Sequence, residues 1–458
     1  MWHTNSGMNE LLSLSATQQA RLIREREISS VELVERHLRW IAIVNPRINA
    51  AIDVLADTAL AAARRADAGA VTGPLHGVPF SIKDSLELAG SVCTAGTMGR
   101  RHAAPATEDA VLISRLRKAG AIPIARTNLP DLLFAFESDN LLYGATRNPY
   151  DASRTSGGSS GGEAALIASC GSPLGLGSDA AGSVRLPAAF CGIAGIKPTS
   201  GRLDRTGHFP PAGGWIEALW QIGPMARYVE DLRTVMPLLI GEPDGPSPDL
   251  GALRVAFYSG PADSEVAAVV RGAASALAGA VAMLEEDRPA CLDKAFDLEM
   301  KLLGPDGGDG LRQYLCELGS TEVHPLLRAW LDKLEAYRTD LPGFAAYWAE
   351  WDAYRAAMTA FLQRYDVILC PVYPHAAVAL GTSVEDENFR GFAHTMAYNV
   401  AGLPAAVVRC GQSGGGLPIA VQIVAGPGRE DVALGVAAFL EGEFGGWKAP
   451  EFVQVLAG

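Results

Sequence analysis

An α/β fold is what this 458-residue chain predicts. Three observations carry the prediction. Helical periodicity and short apolar runs alternate through the first 240 residues. The 50 Gly and 28 Pro fall between those runs as turn signals. Hydrophobic residues make up 48% of the chain against 19% charged, a balance that fits a large buried core rather than disorder.

Residues 10–45 are expected to be helical. Leu11, Leu12 and Leu14 open the segment, Leu22 and Ile23 continue it, and Val34, Leu38 and Ile41 recur at i, i+4 and i+7. The S-x-x-E step from Ser29 to Glu32 is a capping box that starts a second helix. Residues 58–68, rich in Ala, Arg and Asp, predict another. Gly73-Pro74 then begins a turn-rich approach to a short strand, Val78 to Ile82, which ends on Lys83-Asp84. A helix from Asp109 to Ala119, a strand from Ala121 to Ala125 and a long irregular stretch lead to the Gly/Ser segment 156–162. After the turn Gly241 to Pro246, the chain as far as Pro342 reads as an inserted helical cap. Apolar runs at 366–371, 405–408 and 419–424 are expected to return to the sheet as buried strands. The expectation is a single domain in four parts: N-terminal helices over 1–70, a catalytic core over 71–240, a variable helical insertion over 241–365 and a return to the core sheet over 366–458.

Composition excludes several functions. With 38 Lys and Arg against 51 Asp and Glu, the net charge of −13 disfavours a phosphate-neutralising surface, so no nucleic-acid partner is expected. The seven cysteines include no C-x-x-C pair, which argues against a zinc knuckle and a disulfide framework. Met1 to Gly7 lacks the basic and apolar regions of a secretory signal. The uncharged stretch Cys410 to Gly428 is broken by Gly414-Gly415-Gly416, Pro418 and Pro427, so it cannot run as one membrane helix. The chain is expected to be soluble and cytoplasmic, with no membrane partner.

Two Gly-rich segments fit familiar motifs poorly. G-x-S-x-G occurs at Gly157 to Gly161 and at Gly158 to Gly162, but a nucleophile elbow needs a strand running into the Ser, and 146–155 is a polar loop. Gly175 to Ala180 matches G-x-G-x-x-A, yet Pro187 falls where a dinucleotide-binding fold needs its crossover helix. No Lys directly follows a Gly, which removes the phosphate-binding G-x-x-x-x-G-K loop.

Three ordered motifs carry a resemblance instead. Gly77-Val78-Pro79-Phe80-Ser81-Ile82-Lys83-Asp84, Gly157-Gly158-Ser159-Ser160-Gly161-Gly162-Glu163-Ala164-Ala165 and Gly177-Ser178-Asp179-Ala180-Ala181-Gly182-Ser183-Val184-Arg185-Leu186-Pro187 together resemble the amidase signature family. Shorter matches at Thr127 to Pro130, Cys191 to Thr199, Gln221 to Arg227 and Asn399 to Ala405 extend the likeness over most of the chain. The resemblance implies a large twisted mixed β-sheet covered by helices on both faces. It also implies a serine hydrolase of C–N bonds without metal or cofactor, acting alone as a monomer or homodimer on a small-molecule amide or carbamate.

Residue by residue, the resemblance makes Ser183 the nucleophile, Ser159 a bridging serine preceded by a cis peptide bond, and Lys83 the base. A Ser hydroxyl needs a base to attack, and a Lys can act as one only when neutral. That requires its pKa to fall from about 10.4 by roughly 3 units, or about 4 kcal/mol. Ala180, Ala181 and Gly182 are the expected oxyanion hole, with Asp179 and Arg185 as a supporting pair. Ala181 stands where relatives more commonly carry Gly; if the position required a positive φ, its methyl would be strained.

The substrate is expected to be neutral and apolar or aromatic. Leu133 and Phe134 follow Asn128 in a segment that lines the channel of the family's members, and Phe209, Trp215 and Trp220 follow the nucleophile. No Arg or Lys lies in 132–136 or 213–221 to pair with a substrate carboxylate. Aryl amides and aryl carbamates fit both that lining and the better leaving group, as for the family's aryl acylamidases and urethanases. The alternative is a glutamine-amidase subunit of a tRNA-dependent amidotransferase complex, for which no polar glutamine-binding lining is visible.

Overall fold

The computed structural model describes residues 10–211, 213, 215–242 and 247–457. The expectations for Met1 to Gly7, and for 243–246 of the turn after Gly241, lie outside the described residues. Among the described residues, eleven strands build the core: β1 (Ala51–Val54), β2 (Pro79–Lys83), β3 (Ile122–Thr127), β4 (Leu174–Asp179), β5 (Ala194–Lys197), β6 (Gln221–Ala226), β7 (Arg254–Phe257), β8 (Met283–Glu286), β9 (Val367–Pro371), β10 (Ala405–Gln412) and β11 (Pro418–Ala425). They form one mixed sheet in the order β1-β3-β2-β4-β6-β5-β10-β11-β9-β7-β8. β2 runs parallel to β3 and β4, and β7 runs parallel to β8 and β9.

The apolar runs at 405–408 and 419–424 make sense in the centre of this sheet. Side chains alternate across a strand. Ala406, Val408, Val421 and Ile423 enter one apolar cluster, while Val407 and Ala420 enter another. Helices therefore cover both faces and these positions are apolar, while the buried Gln422 of β11 is a polar exception, accepting from Arg185. Val421 and Ile423 are fully buried, and truncating either to Ala costs about 2–4 kcal/mol.

The N-terminal helices are Ala16–Arg24 and Ser30–Ile48. Ser29 caps the second by accepting from Glu32 N at 3.0 Å. A reciprocal capping box at Ser15 and Gln18, not picked out in the sequence, starts the first. Asn49, left-handed at φ 50, ends the second helix.

One expectation is corrected. The segment 241–365 is not only a helical cap, because β7 and β8 within it extend the main sheet beyond β9. Both are four-residue strands at the sheet's end, and β8 carries the exposed Glu285 and Glu286. β8 is the half-solvated edge strand and leaves no apolar run to read, whereas β7 lies between β9 and β8 with Val255 and Ala256 buried, a run too short to stand out from the helical sequence around it. The helices Ala295–Leu303, Asp309–Glu317, Pro325–Leu334 and Leu341–Leu362 form the cap itself. Among the described residues, no helix is long and apolar enough to cross a membrane.

Candidate active site

The carboxyl ends of the parallel strands β2, β3 and β4 come together, the usual position of a site in such sheets. Ser81 pairs with Gly175 and Ile82 with Leu176, a register that sets the end of β2 beside the end of β4. Lys83 closes β2 with its side chain wholly buried. Its Nζ donates to Ser159 Oγ at 2.7 Å, Ser178 Oγ at 3.0 Å and Ser178 O at 3.3 Å. Burial pushes the ammonium well below the ordinary lysine range, against the opposing pull of Asp179 and Glu163.

Ser159 lies in the Gly-rich loop that feeds the helix Gly161–Ala168, after a cis Gly158–Ser159 peptide bond. The glycines allow close backbone approach. A Cβ on Gly158 would lie 2.6 Å from Glu137 N, and one on Gly162 would run into the backbone of Asn128. Ser138 Oγ also donates to Gly157 O at 3.1 Å and accepts from Gly161 N at 2.8 Å, tying the loop down.

Ser183 stands on the turn between β4 and the helix Arg185–Phe190. Asp179 organises that turn: its carboxylate accepts from Gly182 N at 2.8 Å, Val184 N at 3.2 Å and Arg185 Nε at 2.9 Å. Arg185 also donates to Thr395 O at 2.9 Å and Gln422 Oε1 at 2.6 Å. Burial raises the Asp179 pKa, but Arg185 overrides it and holds the carboxyl below its ordinary range. Gly182 has φ +125, whereas Ala181 is not among the residues of positive φ, so the Ala181 methyl meets no backbone penalty. Gly182 N–H is committed to Asp179. The amides of Ala180, Ala181 and Ser183 donate to none of the described residues.

Ser159 and Ser183 share one cavity of about 40 Å³, walled by Leu133, Phe134, Ala135, Phe136, Ala180, Ala181, Ile216, Trp220, Leu303 and Trp330. Leu133, Phe134 and Trp220 are brought together there. Phe209 is not a wall residue: it stacks with Tyr314 and lies under Arg100, whose guanidinium carbon is 3.9 Å from the ring centroid. The side chain of Trp215 lies outside the described residues. Leu303 and Trp330 were not anticipated, since they come from the cap helices, where no motif marks them. Phe136 and Ile216 carried only the weaker signal of standing near residues already singled out.

The charge reading needs one amendment. An outer chamber shares Phe134, Ile216, Trp220 and Leu303 with the cavity and includes Arg205, which precedes the cation-free segment 213–221. Arg205 is paired with Glu217 at 2.8 Å and covers the Trp220 ring, so its charge is already answered by the protein.

Comparison with known proteins agrees with this architecture. The family model described as Amidase matches residues 32–434. Fatty-acid amide hydrolase 2-A of Danio rerio is 32% identical, over 96% of this chain and 91% of that protein. A subunit of the glutamyl-tRNA(Gln) amidotransferase of Lachnospira eligens is 31% identical, over 90% of this chain and 95% of that protein. The solved structure of 6-aminohexanoate cyclic dimer hydrolase complexed with substrate matches at a TM-score of 0.85 and 30% identity, over 96% of this chain and 99% of the other. The chain belongs to the amidase family and is a hydrolase of C–N bonds other than peptide bonds.

Proposed function

We propose that the chain cleaves neutral, apolar or aryl amides, or the corresponding carbamates, through an acyl-enzyme on Ser183. Ser183 Oγ attacks the carbonyl carbon as its proton passes to Ser159 and the Ser159 proton passes to Lys83 Nζ. The same route returns a proton to the departing nitrogen, and water then repeats the cycle on the ester. The amides of Ala180, Ala181 and Ser183 would stabilise the oxyanion, with Gly182 N–H holding the turn to Asp179 instead.

The observation that carries this reading is the buried, 2.7 Å contact between Lys83 Nζ and Ser159 Oγ at the floor of a cavity that also includes Ser183. A base needs little free energy to lose its proton when burial already disfavours the ammonium. None of the cavity's wall residues is charged. This favours a neutral acyl or leaving group over the α-ammonium and α-carboxylate of glutamine, and so favours a free-standing hydrolase over a component of an amidotransferase.

The test compares kcat/KM for a nitroanilide, an aryl carbamate and malonamate. The aryl substrates are expected to lead. A malonamate advantage beyond about tenfold, or about 1.4 kcal/mol in transition-state binding, overturns the substrate reading.

A further inference from the structure

The proton relay leaves one buried acid beside Lys83 unused. Ser81 and Lys83 are two residues apart on β2 and therefore share a face of the sheet. Thr127 is the register partner of Lys83 on β3. Glu163, in the first turn of the helix Gly161–Ala168, joins these strands: Oε1 accepts from Ser81 Oγ, and Oε2 accepts from Thr127 Oγ1 at 2.7 Å. Its side chain is wholly buried and belongs to no ion pair among the described residues.

The other charged and titratable groups on the elements around it are committed elsewhere. Arg126 on β3 is paired with Asp84 at 2.6 Å, and Arg185 is paired with Asp179. His37 on the helix Ser30–Ile48 meets Gly171 O at 3.1 Å, and Arg227 donates to backbone oxygens of Leu12, Leu14, Ile167 and Ser172. Lys83 is left as the cation whose charge acts on Glu163, while the charges acting on Lys83 are those of Asp179 first and Glu163 next, and buried His208 is also within range of the Lys83 charge. Asp179 is already neutralised by Arg185. Burial pushes the Glu163 carboxyl up to about 7, against the two hydroxyl donors and Lys83.

We propose that Glu163 is a positioning residue for amide cleavage: it braces β2 against β3 beneath Lys83 and supplies the negative charge that Lys83 meets when it takes the Ser159 proton. Glu163 makes and breaks no bond. As the Ser183 Oγ–carbon bond forms, the carbonyl π pair moves to oxygen and the relayed proton makes Lys83 an ammonium. The ionised carboxylate stabilises that ammonium until the proton leaves for the substrate nitrogen. This inference rests on Lys83 being the base.

The test is the pH dependence of kcat/KM for an anilide with chemistry limiting, in wild type and Glu163→Gln. Gln keeps the shape and one acceptor but not the charge. A Lys83 without that charge holds its proton less tightly, so the acid limb is expected to move to lower pH by about half a unit or more. The plateau is expected to fall by roughly 3- to 30-fold because the base is weaker, with KM little changed. A lower plateau with the limb unmoved marks a purely structural brace and overturns the proposal, as does a limb moved to higher pH. Thr127→Val, which removes one donor and favours the neutral carboxyl, should give a smaller shift in the same direction; it decides the matter if Glu163→Gln does not fold. Lys83→Ala separates the failures: a variant keeping more than about a tenth of wild-type activity removes the base assignment itself.

Discussion

Arg185 grips both oxygens of Asp179, Nε meeting Oδ2 and Nη2 meeting Oδ1 at 2.9 Å each, with both side chains fully buried. The pair fixes the turn on which Ser183 sits. Arg185→Ala leaves a buried carboxylate without its cation and is expected to cost about 3–5 kcal/mol, read as a fall in the urea midpoint. Asp179 is held below its unfolded value of about 3.9, so the pair's stabilisation is present above that pH and is lost as pH falls further through the lower folded value. Asp179→Asn should therefore lose part of the acid-limb slope of stability; an unchanged slope contradicts the assignment.

Ser183→Ala is expected to abolish turnover with little change in Tm, because the residue is a small side chain on a turn. A fluorophosphonate probe should label wild type at Ser183. Equal labelling of the variant would assign the nucleophile elsewhere.

Lys83→Ala is expected to lower kcat/KM by about 10² to 10⁴. In wild type, activity should rise with pH on the acid side, since neutral Lys83 is populated upward through a pKa lowered by burial. The apparent value belongs to the coupled set of Lys83, Ser159 and Glu163. A profile flat from about pH 5 to 9, with chemistry limiting, is incompatible with the relay.

Trp330→Leu probes the cavity wall. Trp330 stands edge-on to Phe134 and Phe389, at centroid distances of 5.9 and 5.0 Å. Removing the indole should reduce kcat/KM for an anilide by about 10-fold or more relative to a short aliphatic amide, an ordinary value for contacts of this size. An unchanged ratio would take Trp330 out of substrate selection.

Legibility along the chain followed the physics of each segment. The central strands could be read because residues such as Ala406, Val407 and Val408 are buried on both faces. Lys83, Ser159 and Ser183 stood out because three motifs, two of them Gly-rich, occur in a fixed order around them. β7 and β8 escaped because each is only four residues long, β8 being also a half-exposed edge strand, and Leu303 and Trp330 because a wall residue on an amphipathic helix looks like any other core residue. The place of Phe209 beneath Arg100 depends on a long-range contact that local spacing cannot encode.

The helix Ala295–Leu303 supplies Leu303 to the cavity and packs along the helix Ala393–Val400. Thr395 on that second helix donates to Ala181 O at 2.7 Å, and Asn399 donates to Asp179 Oδ1 at 2.9 Å. The helix that walls the cavity thus packs on the helix that holds the turn of Ser183. Replacements at the tip of the first helix are expected to change what the cavity admits, and those on its inner side to shift the second helix and, through Thr395 and Asn399, the turn that carries Ser183. A programme of directed evolution that spares the face toward Ala393–Val400 can explore new substrates while the reaction centre keeps its alignment.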